Sequence, residues 1–75
     1  MARYFFHVHS DRDHIDNDGT DLPGPREARD HAVTVAGELL KGVSYSDWKG
    51  SEWRLRVTDE NEAAVCTLRF SIECD

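Results

Sequence analysis

The sequence predicts an α+β fold, an antiparallel sheet of three to four strands with one amphipathic helix on one face, in the order β-(β)-α-β-β. Three observations carry that expectation. The N-terminal segment alternates side-chain character every second residue, the middle of the chain repeats apolar residues at intervals of three and four, and the last third returns to alternation around a polar break. A chain of 75 residues leaves room for a single domain, 1–75, since a domain of this size buries only about 60% of its unfolded surface and must make do with a thin core.

Residues 2–9 read as a strand, with Tyr4, Phe6 and Val8 on one face and Arg3, Phe5, His7 and His9 on the other. Residues 10–13 are polar and turn-like. Residues 14–22 can hold a short returning strand interrupted by the Asp18-Gly19 turn signal. Gly24 and Pro25 mark a helix entrance, because proline suits the first helical position, where its missing N–H costs nothing. The helix is expected over 25–41, with Ala28, Ala32, Val35, Ala36, Leu39, Leu40 and Val43 forming the apolar stripe and Gly42 the stop signal. A polar loop over 44–51 contains Tyr45 and Trp48. Beyond it, Trp53, Leu55 and Val57 alternate with Arg54 and Arg56, and a turn over 59–62 leads to a last strand with Cys66, Leu68, Phe70 and Ile72 on one face and Thr67, Arg69 and Ser71 on the other. The core should therefore combine Tyr4, Phe6, Val8, Ala32, Val35, Ala36, Leu39, Trp53, Leu55, Val57, Leu68, Phe70 and Ile72.

Composition narrows the functional classes. Three Phe, two Tyr and two Trp among 39% hydrophobic residues argue for a packed core rather than disorder. No apolar run reaches the roughly 18 to 20 residues that cross a bilayer, and the N-terminus lacks the pattern of a signal peptide, so a cytoplasmic protein away from membranes is expected. A net charge of −6 disfavours unselective binding to nucleic acid. Cys66 and Cys74 lie about eight strand positions apart, too far for a disulfide between them, and are read as free thiols.

Several patterns suggest chemistry and then fall short of it. His7-Val8-His9-Ser10-Asp11 resembles the HxHxD fragment of metallo-β-lactamase-type hydrolases, but Arg12 stands where the pattern's last His belongs and no further ligands follow at the right spacing. His7 and His9 are accordingly expected as solvent-facing residues at a strand end, with no specific metal and no cofactor. Asp16-Asn17-Asp18-Gly19 resembles the start of a calcium loop. Setting Gly19 at its sixth position puts His14 first and Pro25 twelfth, where Asp and Glu are required, so the segment reads as a solvated turn. Cys66 falls on an apolar strand face, where a thiol behaves as a small hydrophobe, and no catalytic set is legible.

The remaining feature is the sheet face turned away from the helix. Period-2 assignment collects Arg3, Phe5, His7, Arg54, Arg56 and Arg69 there, four of the nine basic residues of an acidic chain. Arginine beside an exposed aromatic suits a protein interface or base stacking, whereas an ordinary wet face would need only the arginine stems. The expectation is a non-enzymatic interaction or regulatory module that meets a protein partner or a second copy through these six residues. An RNA- or DNA-binding regulator is the alternative.

Arg3-Tyr4-Phe5-Phe6 followed by Val8-His9, Asp18-Gly19-Thr20 with Leu22-Pro23, Ala28-Arg29 with Ala32, and the Glu38-Leu39-Leu40 helix end resemble an uncharacterised family of small alphaproteobacterial proteins. The likeness continues through Trp53-Arg54, Val57 and Asp59-Glu60 into the closing strand and so covers nearly the whole chain. Its members are known only as a domain of unknown function, so the resemblance implies a bacterial, cytoplasmic, stand-alone domain and supplies no catalytic residue. Where members often carry a glycine-containing turn after the first strand, this chain has Ser10-Asp11-Arg12-Asp13. Asp21-Leu22-Pro23-Gly24, set between an aromatic first strand and an Ala/Leu helix, is similar at the level of fold to HicB-type antitoxin domains, which neutralise a small RNA-cleaving toxin.

Overall fold

A computed structural model describes residues 1–10, 13–42 and 52–71. Val43, Tyr45, Trp48, Ile72, Cys74 and, from the expected turn, Asp11 and Arg12 lie outside the described residues. The elements follow in the order β1 (Ala2–His9), β2 (Thr20–Leu22), α1 (Pro25–Lys41), β3 (Glu52–Thr58) and β4 (Ala64–Ser71). This is the α+β order expected from the sequence, with the optional second strand present as three residues.

All strand pairs are antiparallel and the sheet order is β2-β1-β3-β4. The helix connects two strands, β2 and β3, that flank β1 on either side. The β3–β4 pair is a hairpin closed by residues 59–63, where Asp59 Oδ1 accepts the Asn61 and Ala63 N–H groups at 2.8 and 3.0 Å. Register slips by one residue at the closed end of that hairpin: Val57 faces Cys66 while Thr58 faces Ala64. Val65 is therefore the extra residue of a β-bulge, which bends a strand and re-aims the side chains beside it.

The core forms where α1 crosses the inner face of the sheet. Leu55 and Val57 of the central β3 are fully buried, joined by Tyr4 and Phe6 of β1, and Val8, Cys66, Leu68 and Phe70 pack around them. The helix meets the sheet through three alanines one turn apart, Ala28, Ala32 and Ala36. Small side chains let a helix sit close to a sheet, so the large residues of the core come almost entirely from the strands. His31, on the flank of that stripe, sets its ring edge-on to Phe6 with centroids 4.9 Å apart.

Exposure along the buried stripe rises from zero at Ala28 and Ala32 until Leu39 is only half-buried, while Leu40 is 39% exposed. The expected placement of Leu39 in the core and of Leu40 on the buried stripe is thus corrected. Three- and four-residue spacing defines an angular stripe but not how far along the helix the sheet extends beneath it, and the last turn lies at the margin of the covered region. Gly42 follows with φ −92°, so the helix stops without a left-handed cap.

Candidate functional site

The face opposite the helix is built by the same alternation that builds the core. Antiparallel register sets His9 beside Arg54 and Arg54 beside Arg69 in one cross-strand row, and His7 beside Arg56 and Arg56 beside Thr67 in the next. Phe5 faces Thr58 in a third. All six sequence-predicted residues belong to this face or its β2 edge, but the structure divides them into two groups with different surroundings.

Arg3, Phe5 and His7 are engaged by residues 14–22, which run along the outer edge of β1. Three kinds of bond hold this segment. His14 exchanges main-chain hydrogen bonds with Val8 at 2.8 and 2.9 Å, Thr20–Leu22 form the β2 ladder, and between them the Asp16 carboxylate takes the place of a strand. Asp16 Oδ2 accepts the Phe6 N–H at 3.1 Å, while Oδ1 accepts those of Asp18 and Gly19 at 3.1 and 3.0 Å. The expected solvated turn is therefore an anchor, with an Asx turn at its head and an edge-strand donor capped by its other oxygen. Burial by itself would raise the Asp16 carboxyl, but the N–H groups of Gly19, Phe6 and Asp18 together with the adjacent His7 ring outweigh it and hold the group below its ordinary 3.8.

His7 is held at both ring nitrogens. The Asp16 N–H donates to Nδ1 at 3.1 Å, which leaves the proton on Nε2, 3.1 Å from Oγ1 of the buried Thr58. His7 is thus half-buried, not solvent-facing as the sequence suggested, because residues 14–19 fold back over it. Phe5 stacks with His7, their rings nearly parallel at 6.4 Å, and is itself half-buried rather than exposed. Arg3 stays open to solvent but is fully committed: Nε and a terminal nitrogen reach Asp21 at 3.1 and 3.3 Å, and the other terminal nitrogen donates to the Asp18 carbonyl at 2.7 Å. Gly19 makes this packing possible. It adopts φ +74°, and a Cβ there would lie 2.7 Å from Arg3 Cγ and 2.9 Å from the Phe5 ring. Gly19→Ala should therefore destabilise by about 1 to 2 kcal/mol, measured by urea unfolding; a neutral result would show that neither the close approach nor the left-handed backbone matters.

The second group is open. Arg54, Arg56 and Arg69 line a shallow groove of about 320 Å³ together with His9 and Thr67. Arg54 and Arg69 are direct cross-strand partners, an arrangement of like charges that opposes pairing. Arg69 has Glu52 at 4.0 Å and His9 has Asp13 at 3.4 Å, but Arg54 and Arg56 make no ion pair among the described residues. The groove continues past His7, His9, Ile15, Arg56, Thr58 and Glu62 to an end lined by Phe5, Ile15, Asp16, Asn17, Asp59, Glu60 and Glu62. One face thus runs from cationic to acidic. Glu62 sits in the left-handed region at φ 65°, a conformation that glycine or asparagine would adopt at lower cost.

Cys66 is a free, half-buried thiol whose pKa burial raises, with Arg29 opposing only in part, so at neutral pH it is a poor nucleophile. No group of three His, Cys, Asp or Glu side chains converges on a common point among the described residues. His31, Thr58 and Glu62 are structurally telling residues that sequence reasoning passed over, and Asp16 is one that it read only as part of a solvated turn. Only Asp16 carried a signal, an acceptor two residues ahead of Asp18-Gly19, which is the spacing of an Asx turn.

Fold and face together define a small α+β domain whose helix closes one side of an antiparallel sheet and whose other side is half covered and half open. No helix among the described residues is long and apolar enough to cross a membrane. Residues 3–71 match the family described as a domain of unknown function, DUF6894, and the chain belongs to that family. No curated protein and no solved structure matches the chain.

Proposed function

We propose that this domain is a non-enzymatic interaction module of the bacterial cytoplasm that receives a carboxylate-rich protein surface on its open sheet face. The carrying observation is that Arg54 and Arg56 stand side by side with Arg69 and have no ion pair among the described residues, although the chain holds 15 acidic residues. A cross-strand cluster of like charge is unfavourable alone and becomes favourable when planar carboxylates enter between the guanidinium forks. The two groups best suited to catalysis support the same reading: both nitrogens of His7 are used in structural bonds and the Cys66 thiol is held protonated. Arg3, Phe5 and His7 then act as the rigid border of the face, positioned by residues 14–22, while Arg54, Arg56 and Arg69 make the contact.

The double charge reversal R54E/R56E tests this. Both side chains are exposed, so the variant should keep the wild-type circular dichroism. Proteins cross-linked to the wild type in host cells should be depleted at least tenfold with the variant, and their contacting peptides should be rich in Asp and Glu. A set of partners unchanged by the reversal would refute the reading. A nucleic-acid role is the second possibility, favoured by the arginine row on an exposed sheet. It predicts RNA or DNA affinity that falls steeply with salt and disappears in R54E/R56E.

A further inference from the structure

We infer that the surface received by the arginine row is the acidic end of a second copy of this chain, giving a face-to-face dimer about a two-fold axis. The inference rests on the proposed protein-binding role of the open face and names its partner. Its basis is the polarity of the groove, which is cationic at Arg54, Arg56 and Arg69 and acidic at Glu60 and Glu62, with Ile15 and His7 between the ends. A two-fold axis lying in the interface across the groove lays each acidic end over the other copy's cationic end. An axis along the groove would instead stack like on like, so charge selects a single orientation.

Two further features fit this arrangement. Ile15 is 50% exposed and borders both the middle and the acidic end of the groove, where the axis passes and a second Ile15 would shield it from water. Glu62 keeps a carboxylate on a left-handed backbone at φ 65°, at the point where the groove turns acidic. Strain of this sort is retained where the side chain has work to do.

The geometry allows a charge-swap test. Sedimentation equilibrium of the wild type at low salt should show a dimer that dissociates as salt rises, because the contact is held by exposed charge. R54E/R56E alone and E60K/E62K alone should each be monomeric, since each sets like charges against each other at both ends. Mixed in equal amounts they should form a heterodimer, because the carboxylates introduced in one chain would meet the ammonium groups introduced in the other while the native pairing survives at the opposite end. If either reversed chain fails to fold, R54Q/R56Q should still weaken the dimer at least tenfold. A wild type that remains monomeric at high concentration, or a mixture that stays monomeric, overturns the inference. Loss of acidic host partners from R54E/R56E alongside a monomeric wild type would sink the self-association alone and leave the proposed function standing.

Discussion

Leu55→Ala should cost about 2 to 5 kcal/mol of stability, the largest effect of any single truncation here. Leu55 is fully buried at the middle of the central strand, between Val8 of β1 and Leu68 of β4, and beneath the helix. The alanines opposite it cannot lengthen to fill the gap, so most of the cavity persists. A domain of this length has about 4 to 11 kcal/mol in total, which makes the substitution enough to leave a substantial unfolded fraction. Leu39→Ala, at the half-buried helix end, should lose less than half as much. Urea unfolding of both variants decides the matter, and a Leu55→Ala loss below about 1 kcal/mol, or a larger loss at Leu39, would mean that the packing centre lies elsewhere.

Asp16→Asn should cost about 1 to 3 kcal/mol at neutral pH. The carboxylate serves three N–H groups with two acceptor oxygens. An amide offers one oxygen, so it can complete the Asx turn or cap Phe6 but not both, and its NH2 then faces another donor. The acid dependence follows from the direction of the shift. Because the folded-state pKa lies below the ordinary 3.8, the contribution is fully present above the unfolded-state value and is lost as pH falls through the folded-state value. The stability gap between wild type and Asp16→Asn should thus be widest near pH 7 and narrow progressively once pH falls below the ordinary carboxyl value of 3.8. Equal gaps at both ends of that range would show that the charge on Asp16 contributes nothing.

The strands and the helix were legible because their burial is periodic. Tyr4, Phe6, Leu55 and Val57 fall on alternate positions and Ala28, Ala32 and Ala36 on successive turns, and all seven are buried. What escaped was whatever depends on contacts between distant segments. Phe5 and Arg54 lie on the same side of their strands by parity, yet Phe5 is covered by residues that return along β1 and Arg54 is not. Parity assigns a face; it says nothing about which parts of the face another segment crosses. The same limit explains His7, which a strand pattern alone leaves facing water, and Leu39, whose angular position is correct but whose height on the helix is not. The groove's change of sign was hidden for a further reason, since Glu62 and Arg56 come together through a turn and a bulge that have no period to read.

The pairing of β1 with β3 also constrains how the protein is made. On the edge of β1 that faces β3, residues 5–9 find their partners at residues 54–58, after the helix and the strand beyond it have been synthesised. At roughly 5 to 20 residues per second, the ribosome needs about 2 to 10 s to supply that partner once β1 has been made. During that interval Tyr4, Phe5 and Phe6 have only residues 14–22 to pair with, a three-residue ladder too short to bury them. Nascent chains of this domain should therefore be substrates for chaperones that hold aromatic extended segments, and the arrival of β3 should be the step that releases them.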